Sequence, residues 1–176
     1  MKLRNMTSLF LFNGNQILLL YRIGSRVVAP SWCGIGGHFQ ENELNDPLKC
    51  VLREAHEEVG LNPSDLCGIK LRYVTLSRRM GELRQNYYFF ARLSNPNFVP
   101  TDCDEGCLKW MEIGEIEGLE MPYTAKQVLL HYLKTGSADE ALYVGAARPN
   151  APMVFQILAE QFYRGGRAPM LSPPLC

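Results

Sequence analysis

The sequence lacks any apolar run long enough to cross a membrane. A bilayer-spanning helix needs about 20 consecutive apolar residues, and no stretch of the chain approaches that length. The first ten residues, "MKLRNMTSLF", also lack the layout of a secretory signal peptide, because their apolar residues continue into a predicted strand. We therefore predict a cytoplasmic protein without a membrane partner.

The sequence also lacks net charge. Its 18 Lys and Arg residues balance its 18 Asp and Glu residues, so the formal net charge is zero. A protein that binds polymeric nucleic acid usually presents a broad basic surface. The charge balance therefore argues against polymeric nucleic acid as a partner.

Metal-binding patterns of cysteine and histidine are absent. None of the six cysteines forms a Cys-x-x-Cys pair, and the three histidines lie far apart in the sequence, which argues against a zinc site. Cys50 falls within an amphipathic pattern and is predicted to be a buried thiol, as expected in a reducing cytosol.

The 176 residues, 47% of them apolar, suit one domain, which we place at 1–164. A Pro- and Gly-rich tail follows at 165–176.

Strand patterns alternate with helical ones along the chain. Two apolar runs flank Asn13-Gly14, which predicts a β-hairpin. Further strands are predicted at 68–78, 84–93 and 107–113. The first two of these are joined across Met80-Gly81-Glu82, and a terminal hairpin is predicted around Pro149-Asn150. The fold class indicated is α/β.

Two helices are predicted from apolar residues at helical spacing. The first covers 47–59, with Asp46 as N-cap, Pro47 at the first helical position and Gly60 ending the helix. The second lies in 123–136. Its inward positions are predicted to be Val128, Leu129, Tyr132 and Leu133.

The first helix carries an unusual polar face. Glu54, Glu57 and Glu58 stand at i, i+3 and i+4, where like charges destabilise a helix. They also lie near its C-terminal end, where the helix dipole is negative. A bound Mg²⁺ or Mn²⁺ would offset both effects, since these ions favour carboxylate oxygens. The spacing therefore predicts a divalent metal site.

A glycine-rich loop, "GIGGHFQENE", precedes this helix. Gly34, Gly36 and Gly37 allow close approach of the backbone to a ligand, and their carbonyls or amides can face a metal or a phosphate. A Gly pair, an acid six residues later, and an Arg-Glu-x-x-Glu-Glu-x-Gly helix form a specific combination.

The combination resembles the signature of the Nudix hydrolases, G-x5-E-x7-R-E-U-x-E-E-x-G-U, where U is a bulky aliphatic residue. The matching positions are Gly37, Glu43, Arg53, Glu54, Glu57, Glu58, Gly60 and Leu61. Nine residues rather than seven separate Glu43 from Arg53, and Ala55 replaces a larger aliphatic residue. The longer loop leaves open whether Glu41 or Glu43 packs beneath it.

The resemblance extends over roughly residues 5–135. "SWCGIGGHF" is similar to the family's Trp-x-x-Pro-Gly-Gly, with Ile35 in place of proline. The segment 104–128 is similar to the branch that cleaves nucleoside triphosphates, in which Glu105, or alternatively Asp104, would be a further acid of the site. The fold implied is a Nudix-type α/β/α sandwich around a curved mixed β-sheet.

The resemblance also implies roles. Glu54, Glu57 and Glu58 would bind Mg²⁺ or Mn²⁺ together with the carbonyl of Gly36 or Gly37. The catalytic set expected is Glu57, Glu58, Glu105 and Arg53. Either Glu57 or Glu105 would accept the proton of the attacking water, and Arg53 would orient a carboxylate. Glu43 and Gly60 would serve the structure of the motif.

Substrate contacts and substrate identity are less directly indicated. Arg22 and Arg26 are candidates for phosphate binding, Gly37 for backbone contact and Asn86 for a base edge; His38 and His56 are treated as bystanders. The implied activity is hydrolysis of a nucleoside triphosphate such as 8-oxo-dGTP to monophosphate and pyrophosphate. The alternatives are an ADP-ribose or nucleotide-sugar pyrophosphatase and a non-catalytic nucleotide sensor. The partner implied is a small nucleotide, and a homodimer is compatible with the resemblance.

Overall fold

The computed structural model of the chain describes residues 1–23, 30–101, 106–148 and 151–160. Within these residues the chain forms eight strands and two α-helices. The strands are β1 (Lys2–Asn13), β2 (Gln16–Arg22), β3 (Ser31–Cys33), β4 (Leu66–Arg79), β5 (Glu82–Leu93), β6 (Gly106–Glu112), β7 (Tyr143–Arg148) and β8 (Ala151–Ile157). The helices are α1 (Pro47–Val59) and α2 (Tyr123–Lys134).

The strands form one mixed sheet. Their order is β3-β2-β1-β5-β4-β7-β8, and β6 pairs with β2. The β1–β5 and β4–β7 pairs are parallel, and the others are antiparallel. The predicted α/β class with a mixed sheet is confirmed. Arg26, Glu105 and Asp104, the turn Pro149-Asn150 and the tail 165–176 lie outside the described residues.

The two helices cover opposite faces of this sheet because side chains alternate along β1. Leu9 and Leu11 belong to the core that includes Val51, Ala55 and Val59 of α1. Their neighbours in sequence point the other way, into a second core. That second core includes Phe10, Phe12, Val128 and Leu129. The resulting arrangement is a sheet between two helical layers, as the resemblance implied.

Helix α1 begins and ends where the sequence predicted. The side chain of Asp46 accepts a hydrogen bond from the Lys49 amide at 3.0 Å, and Gly60 ends the helix in the left-handed conformation at φ 74°. This φ favours glycine because other residues are strained there. One position differs from the predicted apolar stripe. Leu48 is exposed in the first turn of the helix.

The predicted hairpins are present, with small shifts at their turns. The last β1–β2 pair joins Asn13 to Gln16, so the turn residues are Gly14 and Asn15 rather than Asn13 and Gly14. Met80 and Gly81 form the β4–β5 turn, both with positive φ, as a tight hairpin requires. Within the described ranges, no helix is long and apolar enough to span a membrane.

Candidate active site

Helix α1 presents its three acids in three different environments. The side chain of Glu58 is 6% exposed, that of Glu54 is 14% exposed and that of Glu57 is 55% exposed. The helical spacing predicted from the sequence places all three on the side that meets the glycine loop. Differences in burial therefore give each carboxylate its own set of partners.

Glu58 has both carboxylate oxygens engaged. The Gly36 amide donates to Oε2 at 2.8 Å, and the Arg22 guanidinium donates to Oε1, also at 2.8 Å. Arg22, a candidate for phosphate binding, is the last residue of β2. The strand directs its side chain toward α1, so Arg22 contacts an acid of the predicted metal site.

Arg53 joins most of the remaining carboxylates. It donates to both oxygens of Glu43, at 2.7 and 2.9 Å, and pairs with Glu54 at 2.9 Å. It also donates to Glu57 at 2.7 Å and to the His38 carbonyl at 3.1 Å. The Arg53 guanidinium thus links α1 to the glycine loop and holds several carboxylates at once. Such contacts are expected of a residue that orients carboxylates.

Glu43 is the acid that packs beneath the loop. It is 1% exposed, whereas Glu41 is exposed, so the alternative left open by the sequence is decided for Glu43. Hydrogen bonds from Arg53 lower the pKa of Glu43 to about 2, although burial opposes this shift. The chain turns at 44–45, between Glu43 and the start of α1. The bidentate pair is therefore compatible with the longer loop.

The two glycines of the loop stand where a side chain would collide. A Cβ on Gly37 would lie 2.6 Å from a carboxylate oxygen of Glu54, and a Cβ on Gly36 would collide with the Thr7 carbonyl. The Gly37 carbonyl accepts a hydrogen bond from the Thr7 amide at 2.9 Å. Gly36, whose carbonyl accepts no hydrogen bond among the described residues, is therefore the better candidate for a metal ligand.

The charges at the site suit a divalent cation. Among the residues that the structure describes, its charged side chains are Glu43, Glu54, Glu57, Glu58, Arg22 and Arg53. The four carboxylates and two guanidiniums leave a formal excess of two negative charges. The available donors are oxygen atoms, the kind that Mg²⁺ and Mn²⁺ prefer. In the parts of the chain that the structure describes, no three His, Cys, Asp or Glu side chains already meet as a metal site.

Asn86 lies apart from this cluster. Its strand β5 alternates, so Asn86 shares the α2 face of the sheet with Tyr88, whereas the acids lie on the α1 face. The Asn86 amide donates to the Tyr88 hydroxyl at 3.4 Å, and that hydroxyl donates to Thr124 at 3.0 Å. Asn86 therefore lies on the other face of the sheet from the acids, and its contact with a base edge stays a prediction.

Sequence reasoning missed the contact between Arg22 and Glu58, because the two residues are 36 positions apart. It also missed the role of Thr7, whose amide fixes the glycine loop to β1. The regular alternation of residues along β1 was the signal available for the contact made by Thr7. No local pattern indicated the contact between Arg22 and Glu58.

The model of a known protein family matches the region of the chain that contains this sheet, the glycine loop and α1. The NUDIX domain matches residues 2–132, which is more than half of the chain. The chain belongs to the NUDIX family. It is a Nudix hydrolase, and such enzymes generally use divalent metal ions.

Solved structures of low sequence identity share the Nudix fold. The mutator MutT protein of Bacillus halodurans has a TM-score of 0.63 and 20% identity, over 88% of this chain and 97% of that one. The Ap4A hydrolase of C. elegans has a TM-score of 0.61 and 17% identity, over 77% and 99%. The NUDIX domain of Shewanella oneidensis NrtR, crystallised with ADP ribose, has a TM-score of 0.59 and 16% identity, over 76% and 86%.

Proposed function

We propose that the chain is a divalent-metal-dependent hydrolase that cleaves a diphosphate linkage in a nucleoside-diphosphate-linked substrate. The observation that carries the proposal is the arginine-bridged set of carboxylates on α1, packed against Gly36 and Gly37. Phosphate hydrolysis depends mainly on positioning and on neutralising charge. A rigid cluster of oxygen donors with excess negative charge suits both needs.

Glu54, Glu57, Glu58 and the Gly36 carbonyl would hold Mg²⁺ or Mn²⁺, which would lower the pKa of the attacking water and neutralise charge on the phosphates. Arg53 positions these ligands, because it donates to Glu54 and Glu57 while Glu43 anchors it from below. The Gly36 amide does the same for Glu58.

Glu57 is our candidate for the group that accepts the proton of the attacking water. It is the most exposed of the three helix acids, so water can reach it while Arg53 fixes its position. Glu105 is the alternative proton acceptor. Arg22 and Arg26 are proposed to contact the substrate phosphates, and Gly37 to contact them through its backbone.

The substrate class that we favour is a nucleoside triphosphate, including oxidised purine nucleotides such as 8-oxo-dGTP, converted to the monophosphate and pyrophosphate. The similarity of segment 104–128 to the triphosphate-cleaving branch supports this choice. ADP-ribose and nucleotide sugars are the competing class. They differ in product, since ADP-ribose would give AMP and a sugar phosphate.

The test is a substrate panel with purified protein and Mg²⁺ or Mn²⁺. We expect release of pyrophosphate from triphosphates, and we expect Glu58→Gln to lower kcat by orders of magnitude while the protein remains folded. The exposed loop residue Glu41 provides the matched control, Glu41→Gln, which should keep full activity. A fully active Glu58→Gln protein, or a folded wild type without turnover of any compound, would contradict the proposal.

A further inference from the structure

Two arginines lie directly opposite each other at one end of the sheet. Arg4 of β1 and Arg84 of β5 are register partners in a parallel pair, so their side chains share the α2 face. Like charges in this position destabilise a sheet. As with the acids of α1, this crowding of like charges requires a counter-charge that stabilises it.

A single carboxylate accepts hydrogen bonds from both arginines. Glu82 accepts from Arg4 at 3.1 Å through one oxygen and from Arg84 at 3.3 Å through the other. The Nε atoms of both arginines are buried and have no hydrogen-bond partner among the described residues. A buried donor without a partner is rare and calls for an explanation. These buried atoms cannot reach a ligand, but the terminal nitrogens of the two guanidiniums, on side chains that are 33% and 17% exposed, have further N–H groups that Glu82 does not use.

The surroundings of the pair are basic. The strand ends at 2–4 and 77–84 contain five cations, Lys2, Arg4, Arg78, Arg79 and Arg84, against the one anion Glu82. The formal excess is four positive charges in a chain whose net charge is zero. Charge is therefore segregated, with the negative excess on the α1 face and a positive excess at this end.

His38 connects the two regions. Arg4 donates to Nε2 of the His38 ring at 3.2 Å, and the His38 carbonyl accepts from Arg53 of the candidate active site at 3.1 Å. Burial and then the charges of Arg4, Arg22 and Arg84 lower the pKa of His38, against a raising hydrogen bond with the Asn5 backbone. Through these two hydrogen bonds His38 places the arginine pair next to the catalytic loop.

We propose that Arg4 and Arg84 form an anion subsite that binds a phosphate group on the nucleoside part of the substrate, separate from the diphosphate held near the α1 acids. The inference rests on the proposed cleavage of a diphosphate linkage in a nucleoside-diphosphate-linked substrate, and it concerns the members of that class whose nucleoside carries a further phosphate. Asn86 lies two residues from Arg84 on the same face, so a base or ribose near Asn86 would place a ribose phosphate within reach of the guanidiniums. Arginine suits this task because its planar fork matches phosphate oxygens.

The substrate class that follows is a nucleoside diphosphate derivative with a 2′- or 3′-phosphate, or a short 5′-phosphorylated oligonucleotide. The direct test is calorimetric binding of 2′,5′-ADP and 3′,5′-ADP compared with 5′-AMP, without a metal ion. We expect at least one bisphosphate to bind about 10- to 100-fold more tightly than 5′-AMP, as expected for charge-assisted hydrogen bonds. Because turnover is not needed, this result is independent of whether the protein hydrolyses any compound in the panel.

Two substitutions should act in opposite directions. Arg84→Gln should abolish the preference for the bisphosphate, and Glu82→Gln should increase it several-fold, because the internal carboxylate no longer competes for the guanidiniums. Arg92→Gln, an exposed position on the same strand, is the matched control and should leave the preference unchanged. Arg4→Gln repeats the first test on the neighbouring strand, and melting curves check that each variant is folded.

Nucleotides with and without a ribose phosphate can also be compared by their rates of turnover. NADPH against NADH, and coenzyme A against its dephosphorylated form, differ by one ribose phosphate, so the ratio of kcat/KM within a pair that is cleaved should fall toward one in Arg84→Gln. Equal binding of bisphosphates and 5′-AMP by the wild type would overturn the proposal, as would an unchanged preference in both arginine variants. Displacement by inorganic phosphate without any preference between nucleotides would assign the site to a free anion and overturn its role in substrate binding.

Discussion

The acids of α1 and the arginine pair of β1 and β5 are two clusters of like charge with different support. Each acid lies next to a neighbour one helical turn away, and Arg53 of the same helix and Arg22 of β2 hold them. The arginines face each other across two strands and share only Glu82. The acidic cluster is thus held from several elements of the fold, whereas the basic pair lies near the ends of two strands. Crowding of like charges therefore indicates a ligand at each cluster. Only the acidic cluster should be essential for the stability of the fold.

The largest expected effect concerns the glycine loop that supports the acids. In Gly37→Ala the new methyl group would collide with the Glu54 carboxylate, so we expect kcat to fall about 100-fold or more, as small misplacements of catalytic groups do. Gly114→Ala is the matched control, because a Cβ there meets open space. Steady-state kinetics with a cleaved triphosphate measure both. Normal activity in Gly37→Ala would show that Glu54 need not keep its present position.

The next effect concerns Glu43, the buried acid that anchors Arg53 beneath the acidic cluster. The pKa of Glu43 falls from 4.5 to about 2 on folding, which corresponds to about 3 kcal/mol of stability at neutral pH. Because the folded pKa is the lower one, this contribution is present above about pH 4.5 and is lost as the pH falls toward 2. Urea unfolding should therefore show Glu43→Gln less stable than the wild type by about 3 kcal/mol at pH 7, with a smaller difference at pH 3.

The control for this experiment is Glu41→Gln, since Glu41 is exposed. A difference between wild type and Glu43→Gln that stays constant from pH 7 to pH 3 would show that the ionised carboxylate is not what stabilises the fold.

The smallest expected effect concerns the basic pair. Arg84→Gln should change the free energy of unfolding by no more than about 1 kcal/mol, because partly exposed ion pairs contribute little. Thermal unfolding of Arg84→Gln beside Glu43→Gln measures the contrast directly. If both variants lose equal stability, the basic pair is as much a part of the structural core as the acids, and the distinction between the clusters fails.

Local signals in the sequence predicted the parts of the fold that depend on neighbouring residues. Helix α1 followed from Asp46, Pro47 and Gly60, whose capping roles need only a few adjacent positions. The placement of the three acids on one face followed from helical spacing alone. The resemblance to a known signature added the loop that faces them.

Contacts between distant residues could not be predicted in this way. The pairing of Arg22 with Glu58 depends on the direction in which β2 ends, and the Arg4–Arg84 pair depends on the register of two strands 80 residues apart. The face occupied by Asn86 was equally hidden, because both faces of β5 are buried against a helical layer. Residues 133–160 lie beyond the matched family region, and their two strands extend the sheet past β4.

The glycine loop is bound to β1 through its backbone, since the loop amides of Ile35 and Phe39 donate to the carbonyls of Leu9 and Asn5. Its amides should thus exchange with solvent deuterium only when β1 itself opens, and the loop and the central sheet should behave as one cooperative unit. Catalytic competence would then disappear at the same temperature as the fold, with no active-site melting beforehand.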